Sequence, residues 1–332
     1  MDDHDRSDPP TGHGEHHYLV TGGAGFIGSH LIGRLLGEGA AVRSLDNGST
    51  GDLGRLAGLG GQLESVRGDI RDADEVTRAM AGVTHVVHLA AEVSVPRSVA
   101  DPVATYAVNV TGTLNVLEAA RSAGVRRVVL ASSSAVYGDD PEMPKRETMT
   151  PGPISPYASS KLAGEALCAV YGRCYGLETV ALRFFNVYGP GQDPTSAYAA
   201  VIPKVIDLVG QGRAPVVFGD GEQTRDFVYV GDVVEAILLA MTSPAASGAV
   251  LNIASGAGIS LNQMLALMSD VYGRELASEY RPERAGDIRH SLADAGAAAE
   301  RLGFRAAMPL EEGLRRTIAA GVPNRPDLAG VA

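Results

Sequence analysis

The sequence predicts an α/β protein built on a doubly wound, mostly parallel sheet, with a smaller α/β region toward the C-terminus. Three observations carry this prediction. Short apolar runs alternate with segments of helical periodicity through the first half of the chain. A glycine-rich turn, TGGAGFIG, joins the first apolar run to the first periodic segment. An aspartate, Asp46, closes the second run. Strands that alternate with helices imply βαβ units, and βαβ units imply a parallel sheet.

Residues 1–17 read as a disordered tail, acidic and histidine-rich without an apolar core. His4, His13, His16 and His17 find no further ligands downstream, so no metal site is expected. From Tyr18, YLVTG is a buried strand. FIGSHLIGRLLGEG places Phe26, Ile27, Leu31, Ile32, Leu35 and Leu36 at helical spacing, and Gly37 and Gly39 end that helix. AVRSLD, LESVRGD and THVVHLAA read as the second, third and fourth strands. Val103 to Ala123 is helical, VRRVVLASSS is a fifth strand, Tyr157 to Tyr175 is helical and LETVALRFF is a sixth strand. The alternation loosens after Pro190, where GPGQDP and FGDGEQTRD separate shorter elements. The expected division is therefore 18–190 as the dinucleotide-binding domain, with some later segments returning to it. Residues 191–322 form the substrate-binding region, and 323–332 are a tail.

The net charge of -11 and the lack of any Lys/Arg-rich run exclude a duplex nucleic-acid binder. A small anionic substrate remains compatible, because local arginines and helix N-termini can hold phosphate on an acidic background. Cys168 and Cys174 share one helix and match neither a zinc pattern nor a disulfide framework. No apolar run reaches the roughly 18 residues of a membrane span, and the N-terminus is no secretory signal. A cytoplasmic protein without membrane partners is expected.

Gly22, Gly25 and Gly28 form G-x-x-G-x-x-G between the first strand and first helix, the context of a Rossmann-type site. The first glycine permits the tight turn, the second lets backbone approach a pyrophosphate, and the third lets helix and strand pack closely. Asp46 lies about twenty residues on, placed to accept from a ribose 2′-hydroxyl. An acid there repels a 2′-phosphate, so NAD is expected rather than NADP. Asp69 and Ile70, after the third strand, are candidates for the adenine edge.

SPYASSKLAGE sets Tyr157 and Lys161 one helical turn apart on one face. A cation beside a phenol favours the phenolate and lowers its pKa, so that Tyr157 could act as a base near neutral pH. The serine run Ser132–Ser134 ends the fifth strand at the sheet's carboxyl edge, where a hydroxyl can bond a substrate oxygen.

TGGAGFIGSHL, HLAA, ASSSAVYG, SPYASSK, LRFFNVYGPGQDP and GDGEQTRDFVYVGDV together resemble the extended short-chain dehydrogenase/reductase family of sugar-nucleotide epimerases and dehydratases. The resemblance runs from about Tyr18 to Phe304. It implies that Ser133 is the catalytic hydroxyl, Tyr157 the general base and Lys161 its partner. It implies that Phe26, Ile27, Asn47, Leu89, Ala90 and Ala91 complete the cofactor site and that Asn109 supports the active-site helix. It assigns the sugar nucleotide to Val93, Ser94, Ser133, Ser134, Asn186, Ala200, Val201, Phe218 and Ser291. Arg225, Arg284 and Asp287 would hold its diphosphate and ribose; the arginine fork suits phosphate oxygens. A homodimer is implied through the helices near Val103–Ala123 and Tyr157–Tyr175.

Within the resemblance, the reaction expected is NAD-dependent inversion of C4 of a UDP-hexose through a transient 4-keto sugar. A 4,6-dehydratase carries an Asp-Glu pair just after the catalytic hydroxyl; Ser134 and Ala135 stand there instead. A uronate 4-epimerase or decarboxylase must bind a sugar carboxylate. Asp193 opposes that, although Arg97 could supply the cation, so this reading stays as the alternative. The small residues Ser291 and Ala200 leave room for an N-acetyl group, which favours UDP-GlcNAc/UDP-GalNAc over UDP-Glc/UDP-Gal. Val93 stands where a glycine is expected and would narrow the pocket. A reductase and an inactive NAD-binding scaffold are the other classes; Ser133, Tyr157 and Lys161 are all present, which opposes the scaffold.

Overall fold

The computed structural model describes residues 16–194, 200–283 and 289–321. β1 (His17–Thr21) is the buried run read from Tyr18, and it begins one residue inside the span assigned to the tail. His17 belongs to the ladder because it pairs with Ala41. α1 (Phe26–Gly37) buries Gly28, Leu31, Ile32 and Leu35, the face its periodicity marks. It is followed by β2 (Ala41–Asp46), β3 (Leu63–Arg67), α2 (Ala73–Ala79) and β4 (His85–His88). α3 (Val95–Ala100) and α4 (Pro102–Tyr106) are short helices capped by Ser94 and Asp101. α4 passes through a π-helical stretch, Ala107–Gly112, into α5 (Thr113–Ser122).

β5 (Arg127–Ser133) runs into a 3-10 turn, Ser134–Tyr137. α6 (Pro156–Tyr175) starts with Pro156 in the first turn and the Ser155 side chain accepting from Ala158 N, and it stops at left-handed Gly176. β6 (Glu178–Phe184), β7 (Asn186–Tyr188), α7 (Val201–Gly210), β8 (Val216–Phe218), β9 (Thr224–Tyr229) and α8 (Val230–Thr242) follow. The described chain closes with β10 (Val250–Ile253), β11 (Gly258–Ser260), α9 (Leu261–Tyr272), β12 (Glu279–Arg281), α10 (Gly296–Leu302) and α11 (Leu310–Gly321).

Seven parallel strands form one sheet in the order β10-β6-β5-β4-β1-β2-β3. One face packs Leu31, Leu35, Val233, Ile237 and Leu302 from α1, α8 and α10. The other packs Val76, Val116, Leu117 and Cys168 from α2, α5 and α6. Helices on both faces explain why the central strands β1, β4, β5 and β6 are buried along almost their whole length. β10, α8 and α10 are later segments that pack with this sheet. The smaller region has its own core, in which α7, α9 and α11 close over β8 and β9 through Ile202, Val217, Phe227, Met264 and Leu314. Strand order reverses between β1 and β4, and the crevice at their carboxyl ends is where open α/β sheets bind ligands. Among the described residues no helix is long and apolar enough to cross a membrane.

Candidate active site

The turn between β1 and α1 is built for close approach. Gly22 is left-handed at φ +71°, and a Cβ there would lie 2.7 Å from Ala90 N. A Cβ on Gly28 would lie 2.3 Å from Gly22 O, so helix and turn touch through bare backbone. Gly25 is the N-cap of α1, with no side chain capping the first turn that Phe26 and Ile27 begin. That helix end offers unpaired N–H groups and a positive dipole end to a pyrophosphate.

Asp46 is buried, and its two oxygens accept from Ala24 N (3.0 Å) and Gly48 N (2.8 Å). It therefore shapes the turn as well, and each oxygen keeps a second lone pair for a ribose hydroxyl. The turn, the helix end and the acid fit NAD. Asn47 donates to Asp69 Oδ2 at 2.9 Å. Asp69 also takes Arg71, whose hydrogen bonds hold the carboxyl well below its usual range. The Ile70 side chain instead lies in the core against Gly112, and its carbonyl accepts from Asn115.

Leu89 and Ala90 follow β4 and hang on Thr21, through Leu89 N to Thr21 O (3.1 Å) and Ala90 N to Thr21 Oγ1 (3.3 Å). Ala91 continues this half-buried segment. Thr21 Oγ1 meets His88 Nδ1 at 2.7 Å, and His88 Nε2 meets Thr113 Oγ1 at 2.9 Å. Thr113 donates to Asn109 O, so the pattern assigns the proton to His88 Nε2 and leaves Nδ1 as acceptor. Burial, with the Lys161 charge adding to it, pushes His88 down to about 3. Asn109 joins the loop and helix: Oδ1 accepts from Glu92 N, and Nδ2 donates to Glu92 O and Ser160 Oγ. Asn109 thus braces α6.

β5 delivers two serines to opposite faces. Ser132 is buried and donates to Glu165 Oε1 at 2.5 Å. Ser133 accepts from Ala135 N at 3.2 Å, and its hydroxyl lies near enough to the Tyr157 phenol to favour the phenolate. Ser134 opens the 3-10 turn. Tyr157 N donates to Ser98 Oγ at 3.1 Å, tying the start of α6 to α3. Lys161 Nζ lies 6.0 Å from the Tyr157 ring centroid and donates to Ala131 O at 2.9 Å.

The expected lowering of the phenol's pKa is corrected here. Burial raises Tyr157, and the nearby Ser133 hydroxyl opposes it only in part. The lysine's strongest contact is a carbonyl rather than the phenol oxygen. Burial likewise pushes Lys161 down to about 8.

On the substrate side, Val93 is exposed and Ser94 caps α3 by accepting from Arg97 N. Arg97 pairs with the Glu92 carboxylate at 3.1 Å. Asn186 starts β7 and donates to Asp226 O at 3.2 Å. Ala200 is the N-cap of α7 and Val201 its first residue. Phe218 ends β8, half-buried. Arg225 Nη1 donates to Thr224 O at 2.8 Å, and Ser291 N donates to the same carbonyl at 3.1 Å. Arg284 and Asp287 lie outside the described residues.

Sequence reasoning missed Asp226, which is fully buried and accepts from Ser255 N and Oγ, Gly256 N and Ala293 N. It ties β9 to the segment that carries Ser291. Its signal was weak, since an acid inside an apolar strand is visible in RDFVYV but its partners are not.

The family model described as NAD dependent epimerase/dehydratase family matches residues 18–254. A UDP-glucose 4-epimerase of Mycolicibacterium smegmatis is 42% identical over 305 residues, 90% of this chain and 96% of that one. A UDP-N-acetylglucosamine 4-epimerase from Methanobrevibacter ruminantium, solved with UDP-N-acetylmuramic acid, superposes with a TM-score of 0.88 at 39% identity. That match covers 92% of this chain and 97% of the other. The Thermus thermophilus UDP-glucose 4-epimerase, solved with NAD, gives a TM-score of 0.83 at 40% identity, with 92% and 98% covered.

Proposed function

The chain belongs to the NAD-dependent epimerase/dehydratase family, and we propose that it is a 4-epimerase of UDP-hexoses that accepts UDP-GlcNAc and UDP-GalNAc. The observation that carries the reaction type is the gathering of Ser133 at the end of β5 with Tyr157 and Lys161 on α6, with only Ser134 and Ala135 following the serine. Neither of those two residues can run the acid and base steps of a C5–C6 elimination. When bound, NAD supplies the acceptor and then the donor of the C4 hydride, together with a positive ring that favours a nearby phenolate.

The chain's own residues handle the proton and the binding. Ser133 holds the sugar O4. Tyr157 takes its proton on oxidation and returns it on reduction. Lys161 carries its positive charge 6.0 Å from the Tyr157 ring centroid and is assigned to a ribose hydroxyl. The Gly22–Gly28 turn and Asp46 hold the dinucleotide, with Asn47, Asp69, Leu89, Ala90 and Ala91 around it. Arg225, Asn186 and Phe218 are assigned to the UDP moiety, with Arg284 and Asp287. Homodimerisation through α4, α5 and α6 is part of the same reading. It is supported by exposed Val103, Leu114 and Val170.

The sugar preference rests on Ser291 and Ala200, which are too small to close the pocket over a 2-substituent. The uronate alternative loses support from Arg97, because Glu92 already neutralises its guanidinium. The test is a comparison of kcat/KM for UDP-GlcNAc, UDP-Glc and UDP-glucuronate with the purified protein. The expected order is UDP-GlcNAc at or above UDP-Glc, and both far above the uronate. Preference for the uronate would overturn the assignment.

A further inference from the structure

Glu165 sits one turn beyond Lys161 on α6, the spacing at which a carboxylate and an ammonium ordinarily pair on a helix. They do not pair here. Lys161 donates to Ala131 O. Glu165 takes a two-pronged grip from Arg183 on β6 at 2.9 and 2.8 Å, and the Ser132 hydroxyl from β5 at 2.5 Å. All three members are nearly sealed, with Ser132 at 3%, Arg183 at 4% and Glu165 at 6% exposure. The guanidinium also lies 4.7 Å from the Tyr137 ring centre, and Tyr137 donates to Asn252 Oδ1 at 2.7 Å. Burying an ion pair this deeply brings little net stability over an apolar packing of the same shape. Its position suggests another use, because it joins the helix of Tyr157 and Lys161 to the strand that ends in Ser133.

We propose that Arg183 and Ser132 are positioning residues for the epimerisation, holding the Glu165 carboxylate off Lys161 and fixing α6 against β5. The proposal rests on the 4-epimerase reading. Ser132 precedes Ser133 directly, so a slip of α6 along β5 alters how Ser133 on β5 is set against Tyr157 on α6. Without Arg183, the Glu165 carboxylate, one helical turn from Lys161, would be free to turn to that cation and neutralise its charge beside Tyr157. The ionisable groups around Lys161 are Tyr157 from its own helix and His88 from β4, while Glu165, one helical turn on, is turned to Arg183 on β6. The clamp is assigned no contact with substrate or NAD, so its loss should lower kcat and leave KM unchanged.

The test uses two variants and one spectroscopic measurement on the full chain. In Glu165→Leu/Arg183→Met/Ser132→Ala the polar cluster becomes apolar at similar volume. The fold and bound NAD should persist while kcat falls about tenfold or more, since small misplacements of reacting groups carry such penalties. Wild-type kcat in this variant overturns the proposal. Should it fail to fold, Ser132→Ala decides, because the ion pair stays intact there. The expected result is kcat lower by about fivefold at unchanged KM and unchanged unfolding midpoint, within the range small misplacements allow; full activity overturns the proposal. NMR titration of Lys161 in Arg183→Met reads the same clamp without turnover. Lys161 should hold its proton to higher pH than in the wild type, and an unmoved titration counts against the clamp. A wild-type protein that epimerises no UDP-hexose would instead refute the functional reading, and the titration would still judge the clamp.

Discussion

Replacing Gly28 by alanine tests the turn that positions the cofactor. The new methyl group would stand 2.3 Å from Gly22 O and 2.7 Å from Gly23 Cα, well inside the 3.0 Å that real Cβ contacts respect. Both neighbours are backbone, so no rotamer change relieves the clash and α1 must move off the turn. Overpacking of this kind costs about 1–3 kcal/mol, and a rigid neighbour puts it at the upper end. Alanine in a helix returns about 1 kcal/mol over glycine. The net loss expected is about 2 kcal/mol, an unfolding midpoint lower by roughly 4 °C.

Displacing the N-terminus of α1 also moves the N–H groups assigned to the pyrophosphate, so NAD retained after purification should fall sharply. Gly33→Ala on the same helix is the control. Its Cβ would meet only Leu59 at 3.9 Å, so it should raise stability by about 0.5–1 kcal/mol. Urea unfolding of the NAD-free proteins and NAD released on denaturation measure both effects. Wild-type stability and NAD content in Gly28→Ala would refute the reasoning.

Two further predictions concern charge and assembly. Lys161 titrates near 8 in the folded protein against about 10.5 unfolded, so its buried charge costs about 3 kcal/mol at neutral pH. After the lost bond to Ala131 O, Lys161→Met should be more stable by about 1 kcal/mol at pH 7 while turnover vanishes. Because the folded pKa is depressed, the wild type regains that stability as pH rises from about 8 toward 10.5, and the gap between the proteins should close there. A gap that widens with pH would contradict this. The dimer reading predicts that Val103→Glu, a change at a residue 78% exposed in the single chain, converts a dimer to monomers in sedimentation velocity. A monomeric wild type, or an undisturbed dimer in the variant, would dismiss that surface.

Much of the sheet was legible because its signals are local. The β1–α1 glycine turn, Asp46 at the end of β2 and the Tyr157–Lys161 spacing each depend on neighbours in sequence. The serine run could be placed but not sorted. Only the pairing of β5 with β6, and α6 across its face, sends Ser132 to Glu165 and Ser133 to Tyr157. The partners of Asp226, the Arg97–Glu92 pair and the His88 network join residues far apart in the chain, and no spacing encodes them. The direction of the Tyr157 shift was misread because a helical spacing reports a nearby cation and says nothing of desolvation. Ile70 turned inward for a related reason, since the glycine at 112 leaves a hollow in the helix that its side chain fills.

The central claim is that hydride leaves and re-enters C4 on one retained NAD, with Tyr157 and Ser133 handling only the proton on O4. UDP-GlcNAc deuterated at C4, incubated with the purified protein in ordinary water without added cofactor, tests this most directly. The UDP-GalNAc formed should keep its deuterium at C4. Loss of the deuterium to solvent, or its unchanged return as UDP-GlcNAc by a protein that holds NAD, would contradict the claim.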